Sequence, residues 1–176
     1  MDEYQIEFDS DFMAALVKMM AEQNDGTGIE FAELIQIAAD YQKIILEYSD
    51  NSIKCYKRMV ENGEMSERLF ELLSNKEITE NDYENASEDV KEEYREFCKK
   101  SMKGEVNRIE LQETYVKAIQ LRRRLLKAHA DYLPAIINDY DLPESLKYGI
   151  CNVVADMQNQ LNTIVLQSLT WVHKDG

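Results

Sequence analysis

Apolar residues recur at steps of three and four along the carboxyl-terminal part of the chain, and this spacing predicts a long helix. Its apolar stripe consists of Leu146, Ile150, Val153, Met157, Leu161, Ile164 and Trp171. The opposite face is polar but uncharged: Asn152, Asn159, Thr163, Gln167 and Thr170. Asp156 is the one formal charge between residues 148 and 172. A surface helix ordinarily carries Lys and Glu, so we expect this helix to be enclosed by other helices or covered by a partner.

A short helix and a long helix are predicted before residue 64. Ser10 can cap the short one, whose apolar face would hold Phe12, Leu16, Met19 and Met20. Thr27 and Glu30 stand at capping-box spacing and open a long helix over residues 27–61. Gly63 would end this helix as a left-handed cap.

The middle of the chain predicts shorter pieces and then a second long helix. Ser66 and Thr79 precede short helical segments, and a helical pattern runs over residues 87–132. Gly104 lies inside that pattern, costs about 1 kcal/mol relative to Ala, and predicts a kink or a break. Pro143 suits the first turn of the final helix. We therefore predict an all-α protein, an elongated helical bundle of three long helices plus shorter N-terminal and middle helices.

The length of the chain indicates one domain. A chain of 176 residues can bury a sizeable core, and two prolines and six glycines agree with long uninterrupted helices. We predict a single helical-bundle domain over residues 1–176, with residues 64–103 as a candidate acidic helical appendage.

The formal charge of −14 argues against direct contact with nucleic acids or anionic membranes and favours a partner with a basic surface. Residues 1–50 hold 12 acidic and 2 basic side chains, whereas residues 97–133 hold 4 acidic and 9 basic ones. We expect the basic segment to pack beside the acidic ones. Three carboxylates spaced by seven are predicted to form a solvated face of the first long helix: Glu33, Asp40 and Glu47.

The cysteines indicate a cytoplasmic protein. Cys55, Cys98 and Cys151 are odd in number and widely spaced, which is typical of reduced core thiols. The amino terminus is acidic, so no signal peptide is expected. Six Asn and Gln side chains between residues 148 and 172 would be costly in lipid, so no membrane span is predicted.

Arg108, Arg122 and His129 project from an apolar arc, and each guanidinium there needs a carboxylate, a carbonyl, an anion or water. We predict a buried polar pair of Arg122 with Asp156; a small anion site and a partner contact are the alternatives. No Glu-x-x-His pair, glycine-rich phosphate loop, HExxH or GxSxG occurs. We therefore predict no catalytic residues, no cofactor, no metal site and no enzymatic activity.

One segment has spacing typical of a calcium loop. Ile29 would stand at a central hydrophobic position and Glu33 at a final bidentate position, so residues 22–33 resemble part of an EF-hand. Glu22 replaces the usual first Asp, Gly26 supplies no ligand, and Thr27 replaces the turn glycine. The resemblance implies calcium binding, and a plain helix–loop–helix is the alternative.

The acidic runs carry the functional hypothesis. Five carboxylates are predicted to contact a partner: Glu88, Asp89, Glu92, Glu93 and Glu96. We predict a non-catalytic protein-binding bundle, an adaptor or an inhibitor, which in a sharper version blocks a basic nucleic-acid-binding protein by imitating phosphates. The alternatives are a homo-oligomeric assembly subunit and a ligand- or calcium-binding bundle.

Overall fold

The regular structure of the chain is helical. The computed structural model describes residues 29–75, 80–139 and 141–175, without the side chains of residues 29, 31, 80 and 170–175. The elements are α1 (Ile29–Glu61), α2 (Glu67–Ser74), α3 (Glu80–Glu84), α4 (Glu88–Met102), a 3₁₀ turn (Ile109–Leu111), α5 (Gln112–Asp131), α6 (Leu133–Asp139) and α7 (Glu144–Asp175). No strand occurs in these ranges, which confirms the all-α helical bundle. Three predicted helix caps lie outside the described residues: Ser10, Thr27 and Thr79.

The first long helix ends at a glycine, as predicted. Gly63 has a φ of +72°, in the left-handed region that glycine enters at little cost. The N–H of Gly63 donates to the carbonyl of Val60 at 3.1 Å, and the N–H of Glu64 donates to the carbonyl of Met59 at 2.8 Å. These two bonds form a Schellman motif, which pairs carbonyls that the end of α1 would otherwise leave unsatisfied.

The second predicted long helix, over residues 87–132, is not continuous but breaks at Gly104. Gly104 has a φ of +70°, which no helix can continue through. Its N–H donates to the carbonyl of Ser101 at 3.1 Å, and the N–H of Glu105 donates to the carbonyl of Lys100 at 2.9 Å. A second Schellman motif therefore ends α4, and α5 begins only after the 3₁₀ turn.

Serine side chains begin two of the shorter helices, as the sequence predicted. The Oγ of Ser66 accepts from the N–H of Leu69 at 3.1 Å, and the Oγ of Ser87 accepts from the N–H of Val90 at 3.4 Å. Each bond satisfies one of the N–H groups that a helix start leaves without a partner. Pro143 directly precedes α7, one position before the first turn in which we expected it, and its carbonyl accepts from the N–H of Lys147 at 3.1 Å.

Packing divides the chain into two compact units. Among the described residues, unit 1 comprises 29–43 and 118–163, and unit 2 comprises 44–117 and 164–175. A single domain over residues 1–176, with 64–103 as an appendage, stays a prediction.

Unit 1 has a core supplied by α1, α5, α6 and α7. Its most buried members include Ile37, Ala118, Leu121, Leu125, Ile136, Ile150, Val154, Met157 and Leu161. Each fully buried aliphatic side chain contributes about 1.5–3 kcal/mol relative to exposure.

An ion-pair cluster accompanies this core. The Nη1 of Arg124 lies 2.7 Å from the Oδ2 of Asp40, and its Nη2 lies 3.2 Å from the Oε1 of Glu33. The hydrogen bond from Arg124 lowers the pKa of Asp40. The basic segment thus packs beside the acidic one, whereas the prediction of a solvated face at these carboxylates was wrong.

Unit 2 has its own core cluster, which contains Cys55, Met59, Met65, Leu69, Val90 and Val106. Tyr56 and Phe97 pack against it edge to face, with ring centroids 5.8 Å apart. The Nζ of Lys117 lies 3.0 Å from the Oε2 of Glu47, the third of the carboxylates that were expected to be solvated. An α1 carboxylate is therefore paired with an α5 cation in this unit also.

Candidate protein-binding site

A groove in unit 2 combines an apolar floor with a charged rim, and we call it the acidic groove. Its floor consists of Met59, Met65, Leu69, Phe97 and Val106. Its rim consists of Glu64, Glu93, Glu96, Lys100, Glu105 and Asn107. The volume is about 230 Å³. Four carboxylates and one ammonium give the rim a formal charge of −3.

The glycine caps place two of these carboxylates. Glu64 and Glu105 each follow a left-handed glycine, and each precedes a buried residue, Met65 or Val106. The turn leaves the carboxylate exposed and directs the next residue into the core. Glu64 and Glu105 were not among the predicted site residues. The signal that would have found them is a Gly-Glu-apolar order that occurs twice: Gly63-Glu64-Met65 and Gly104-Glu105-Val106.

Helix α4 supplies the other two carboxylates, both of which the sequence analysis had selected. The Oε1 of Glu93 accepts from the N–H of Ser66 at 2.8 Å, so this carboxylate ties α4 to the start of α2. The Oε1 of Glu96 lies 3.1 Å from the Nζ of Lys99. The fold therefore brings Glu93 and Glu96 to one groove with two carboxylates from the turns.

The remaining predicted residues of α4 lie outside the acidic groove. Glu88, Asp89 and Glu92 are exposed. Glu88 lies 3.6 Å from the Nζ of Lys91, and Glu92 lies 2.8 Å from the Nη2 of Arg95. Such pairs add little stability but offset the local field. With five acidic and four basic residues, α4 has a formal charge of only −1.

A hydrogen-bonded cluster holds the rim residue Asn107. The Nη2 of Arg58 donates to the carbonyl of Asn107 at 2.6 Å, and the Sγ of Cys55 donates to the same carbonyl at 3.3 Å. The Nε and Nη2 of Arg58 also lie 2.5 and 3.2 Å from the carboxylate of Glu110. The hydrogen bond from Arg58 lowers the pKa of Glu110, while burial raises the pKa of the Cys55 thiol. This thiol therefore stays protonated at neutral pH.

Arg108 is a buried cation with an unusual set of partners. It is 5% exposed, and its Nη2 donates to the Oγ of Ser101 at 2.6 Å. Its Nη1 has no hydrogen-bond partner in the described part of the chain, where no carboxylate forms an ion pair with it. Burial raises the pKa of Tyr56, and the charge of Arg108 partly offsets this rise. Burial of this cation costs desolvation free energy, which a hydrogen bond to a neutral hydroxyl offsets only in part.

The predicted pair of Arg122 and Asp156 takes a different form. The Nε of Arg122 donates to the Oδ1 of Asn162 at 2.6 Å, and among the described side chains no ion pair joins Arg122 to Asp156. Asp156 is half-buried. Burial, with a smaller contribution from the charge of Asp156, raises the pKa of Tyr41 to about 12. The uncharged amide of Asn162 satisfies the guanidinium that we expected a carboxylate to satisfy.

No group of three metal-ligating side chains occurs in residues 29–75, 80–139 and 141–175. Glu33, the final position of the EF-hand-like segment, accepts from the Nε and Nη2 of Arg124 at 3.3 and 3.2 Å. The part of that segment before residue 29 lies outside the described residues. The Nδ1 of the exposed His129 lies 3.1 Å from the Nε2 of Gln158. The carboxylate of Glu33 therefore already binds a cationic side chain of the same chain, Arg124.

Helix α7 presents an uncharged outer face, which we define by its exposed residues Tyr148, Cys151, Asn152, Ala155, Asn159, Gln160, Thr163, Leu166 and Leu169. Gln167 is half-buried and accepts from the Oη of Tyr48 at 2.7 Å, while the side chain of Thr170 lies outside the description. The expectation that other helices enclose this face is therefore wrong for Asn152, Asn159 and Thr163. Covering by a partner stays a prediction.

Comparisons with known proteins found no matching family model, no matching curated protein and no matching solved structure. Among the helices of the described ranges, none combines the length and the apolar character needed to cross a membrane. The functional conclusion therefore rests on the groove, its charges and the exposed helix faces.

Proposed function

We propose that this chain is a non-catalytic, cytoplasmic protein-binding bundle, an adaptor or an inhibitor, which holds a basic side chain of its partner in the acidic groove. The observation that carries the proposal is the groove itself, where an apolar floor lies beneath four carboxylates and one ammonium. A Lys or Arg side chain matches both features because it buries an apolar stem and keeps its charge at the rim.

The size of the groove favours a side chain over a free ligand. Sites for small molecules usually enclose about 300–1,000 Å³. The acidic groove has about 230 Å³, which is below that range. We therefore propose that one Arg or Lys of a partner enters it, while the surrounding surfaces make the wider contact.

Phosphate imitation is a narrower version of the same proposal, in which the basic partner is a nucleic-acid-binding protein. The exposed carboxylates of α2 and of the start of α4 support it: Glu67, Glu71, Glu88 and Asp89. The later part of α4 supports it less, because Glu92 and Glu96 already have cations of the same helix beside them.

The test is the binding of a fluorescent arginine-rich peptide, followed by anisotropy. We expect the double variant Glu64→Gln and Glu105→Gln to bind at least about tenfold more weakly, since each lost charge-assisted contact is worth about 1.5–3 kcal/mol. The matched control is Glu113→Gln with Asp131→Asn, which removes the same charge from exposed positions of α5. The control should lose less than about twofold.

The two double variants distinguish binding in the acidic groove from attraction of the peptide to the net charge of the chain. Equal weakening by both would mean that the peptide senses only net charge, and the groove proposal would be abandoned. Unchanged binding of the Glu64 and Glu105 variant would have the same consequence. Salt should weaken the wild-type complex, because the contacts at the rim are charged and exposed.

A further inference from the structure

Arg108 and Ser52 are buried side chains whose polar atoms are not satisfied by the chain around them. Arg108 is 5% exposed and Ser52 is 6% exposed. Among the described residues, neither the Nη1 of Arg108 nor the Oγ of Ser52 has a hydrogen-bond partner. Buried polar groups in folded proteins nearly always have such a partner, and a buried cation also requires a compensating negative charge. Both atoms are therefore available to donate to a bound ligand.

The two side chains border the same face of α1. Ser52 precedes Cys55 and Tyr56 by three and four residues, so all three lie on one side of the helix. The Sγ of Cys55 donates to the carbonyl of Asn107 at 3.3 Å, which places the backbone beside Arg108 against this face. Burial raises the pKa of Cys55 and of Tyr56, and the charge of Arg108 opposes both rises. Ser52 and Arg108 thus have the same two neighbours, and both belong to unit 2.

The described neighbours of Arg108 do not compensate its charge. Its Nη2 donates to the hydroxyl of Ser101, which is neutral. The carboxylate of Glu110 accepts from the Nε and Nη2 of Arg58 through both of its oxygens, at 2.5 and 3.2 Å. Burial raises the pKa of Tyr56, so its phenol stays neutral at neutral pH. A compensating charge therefore has to come from a source other than these neighbours.

The sequence around Arg108 is basic, although the chain as a whole is acidic. Residues 97–108 hold one acidic side chain, Glu105, and four basic ones: Lys99, Lys100, Lys103 and Arg108. Four positive charges and one negative charge give this segment +3, against −14 for the whole chain. Salt screens distant charges more than near ones, so an anion is attracted to this segment even though the molecule carries a negative net charge.

We propose that a small inorganic anion, chloride, binds between the Nη1 of Arg108 and the Oγ of Ser52. Both atoms donate to the anion, and its charge neutralises the guanidinium. A water molecule would accept the same hydrogen bonds but would leave the buried charge uncompensated. A monovalent ion balances one guanidinium, whereas a phosphate dianion would exceed its charge. Neither residue lines the acidic groove, so this proposal and the proposed function succeed or fail independently.

Thermal unfolding of the full chain tests the site when chloride replaces the larger gluconate ion at constant ionic strength. An anion that binds only the folded state raises the melting temperature by mass action. We expect the melting temperature of the wild type to rise with chloride and that of Arg108→Met to stay constant. The matched control, Arg68→Met, removes the same charge from an exposed position of α2 and should respond to chloride as the wild type does.

Chloride NMR tests the same site without depending on a stable Arg108 variant. The wild type should broaden the chloride signal, and bromide should reverse the broadening by competition. Ser52→Ala should bind chloride about tenfold more weakly, because one hydrogen bond to an anion is lost. A wild-type melting temperature that does not respond to chloride would overturn the proposal. So would a response that persists in Arg108→Met or disappears in Arg68→Met, or an unchanged chloride affinity of Ser52→Ala.

Discussion

Replacement of Gly63 by alanine tests the turn that places Glu64 at the acidic groove. Gly63 has a φ of +72°, and a Cβ atom built on it meets nothing within 4 Å. Steric clash with neighbours therefore contributes nothing, and the backbone conformation alone decides the outcome. An L-residue in the left-handed region costs about 1–2 kcal/mol, while the loss of freedom in the unfolded chain returns about 0.4–1 kcal/mol. We expect Gly63→Ala to lower the free energy of unfolding by about 1 kcal/mol.

Urea denaturation followed by circular dichroism measures this difference. The slope of the free energy against urea should be unchanged, so that the midpoint alone moves. Gly63→Asn should lose less than Gly63→Ala, since asparagine enters the left-handed region more readily. A variant Gly63→Ala that is more stable than the wild type would refute the reasoning, because that is the result for a glycine with an ordinary negative φ.

Four further substitutions test an ion pair, the core and a buried cation. Arg58→Met should cost about 1–2 kcal/mol at neutral pH. Because Arg58 lowers the pKa of Glu110, the ion pair stabilises the folded chain above the unfolded pKa of about 4.3, and this stabilisation is lost as the pH falls through the folded pKa of Glu110. A cost of Arg58→Met that does not change with pH would contradict this reasoning. Leu125→Ala should lower the free energy of unfolding by about 2–5 kcal/mol in chemical denaturation. Leu126 is 42% exposed, so Leu126→Ala should lower it by no more than about 0.5 kcal/mol. Equal losses for the two variants would contradict the observed burial. Arg108→Met should change stability by less than about 1 kcal/mol or increase it; a loss above about 3 kcal/mol would reveal a strong partner.

Periodicity predicted the helices well because each apolar arc is a local property of the sequence. Met157 and Leu161 both lie on the predicted stripe of the final helix, and both are buried. The outcome at Gly104 could not be decided in the same way. One glycine costs a helix only about 1 kcal/mol, so packing around the following Val106 determines whether the helix bends or ends.

The site was harder to predict because it depends on how helices rotate against one another. Arg124 pairs with two α1 carboxylates that looked solvated from α1 alone. Glu64 and Glu105 belong to turns 41 residues apart, and their proximity follows from packing that no local pattern encodes. Glu93 was selected for its charge, but its bond to the N–H of Ser66 became visible only in the fold.

Methionine-methyl NMR during titration with an arginine-rich peptide tests the acidic groove most directly. Met59 and Met65 lie in its floor, while Met102 is 80% exposed at the end of α4 and serves as an internal control. We predict that the Met59 and Met65 methyl signals shift together and saturate with the peptide, and that the Met102 signal does not move. Saturable binding of the peptide with unshifted Met59 and Met65 signals would contradict the account.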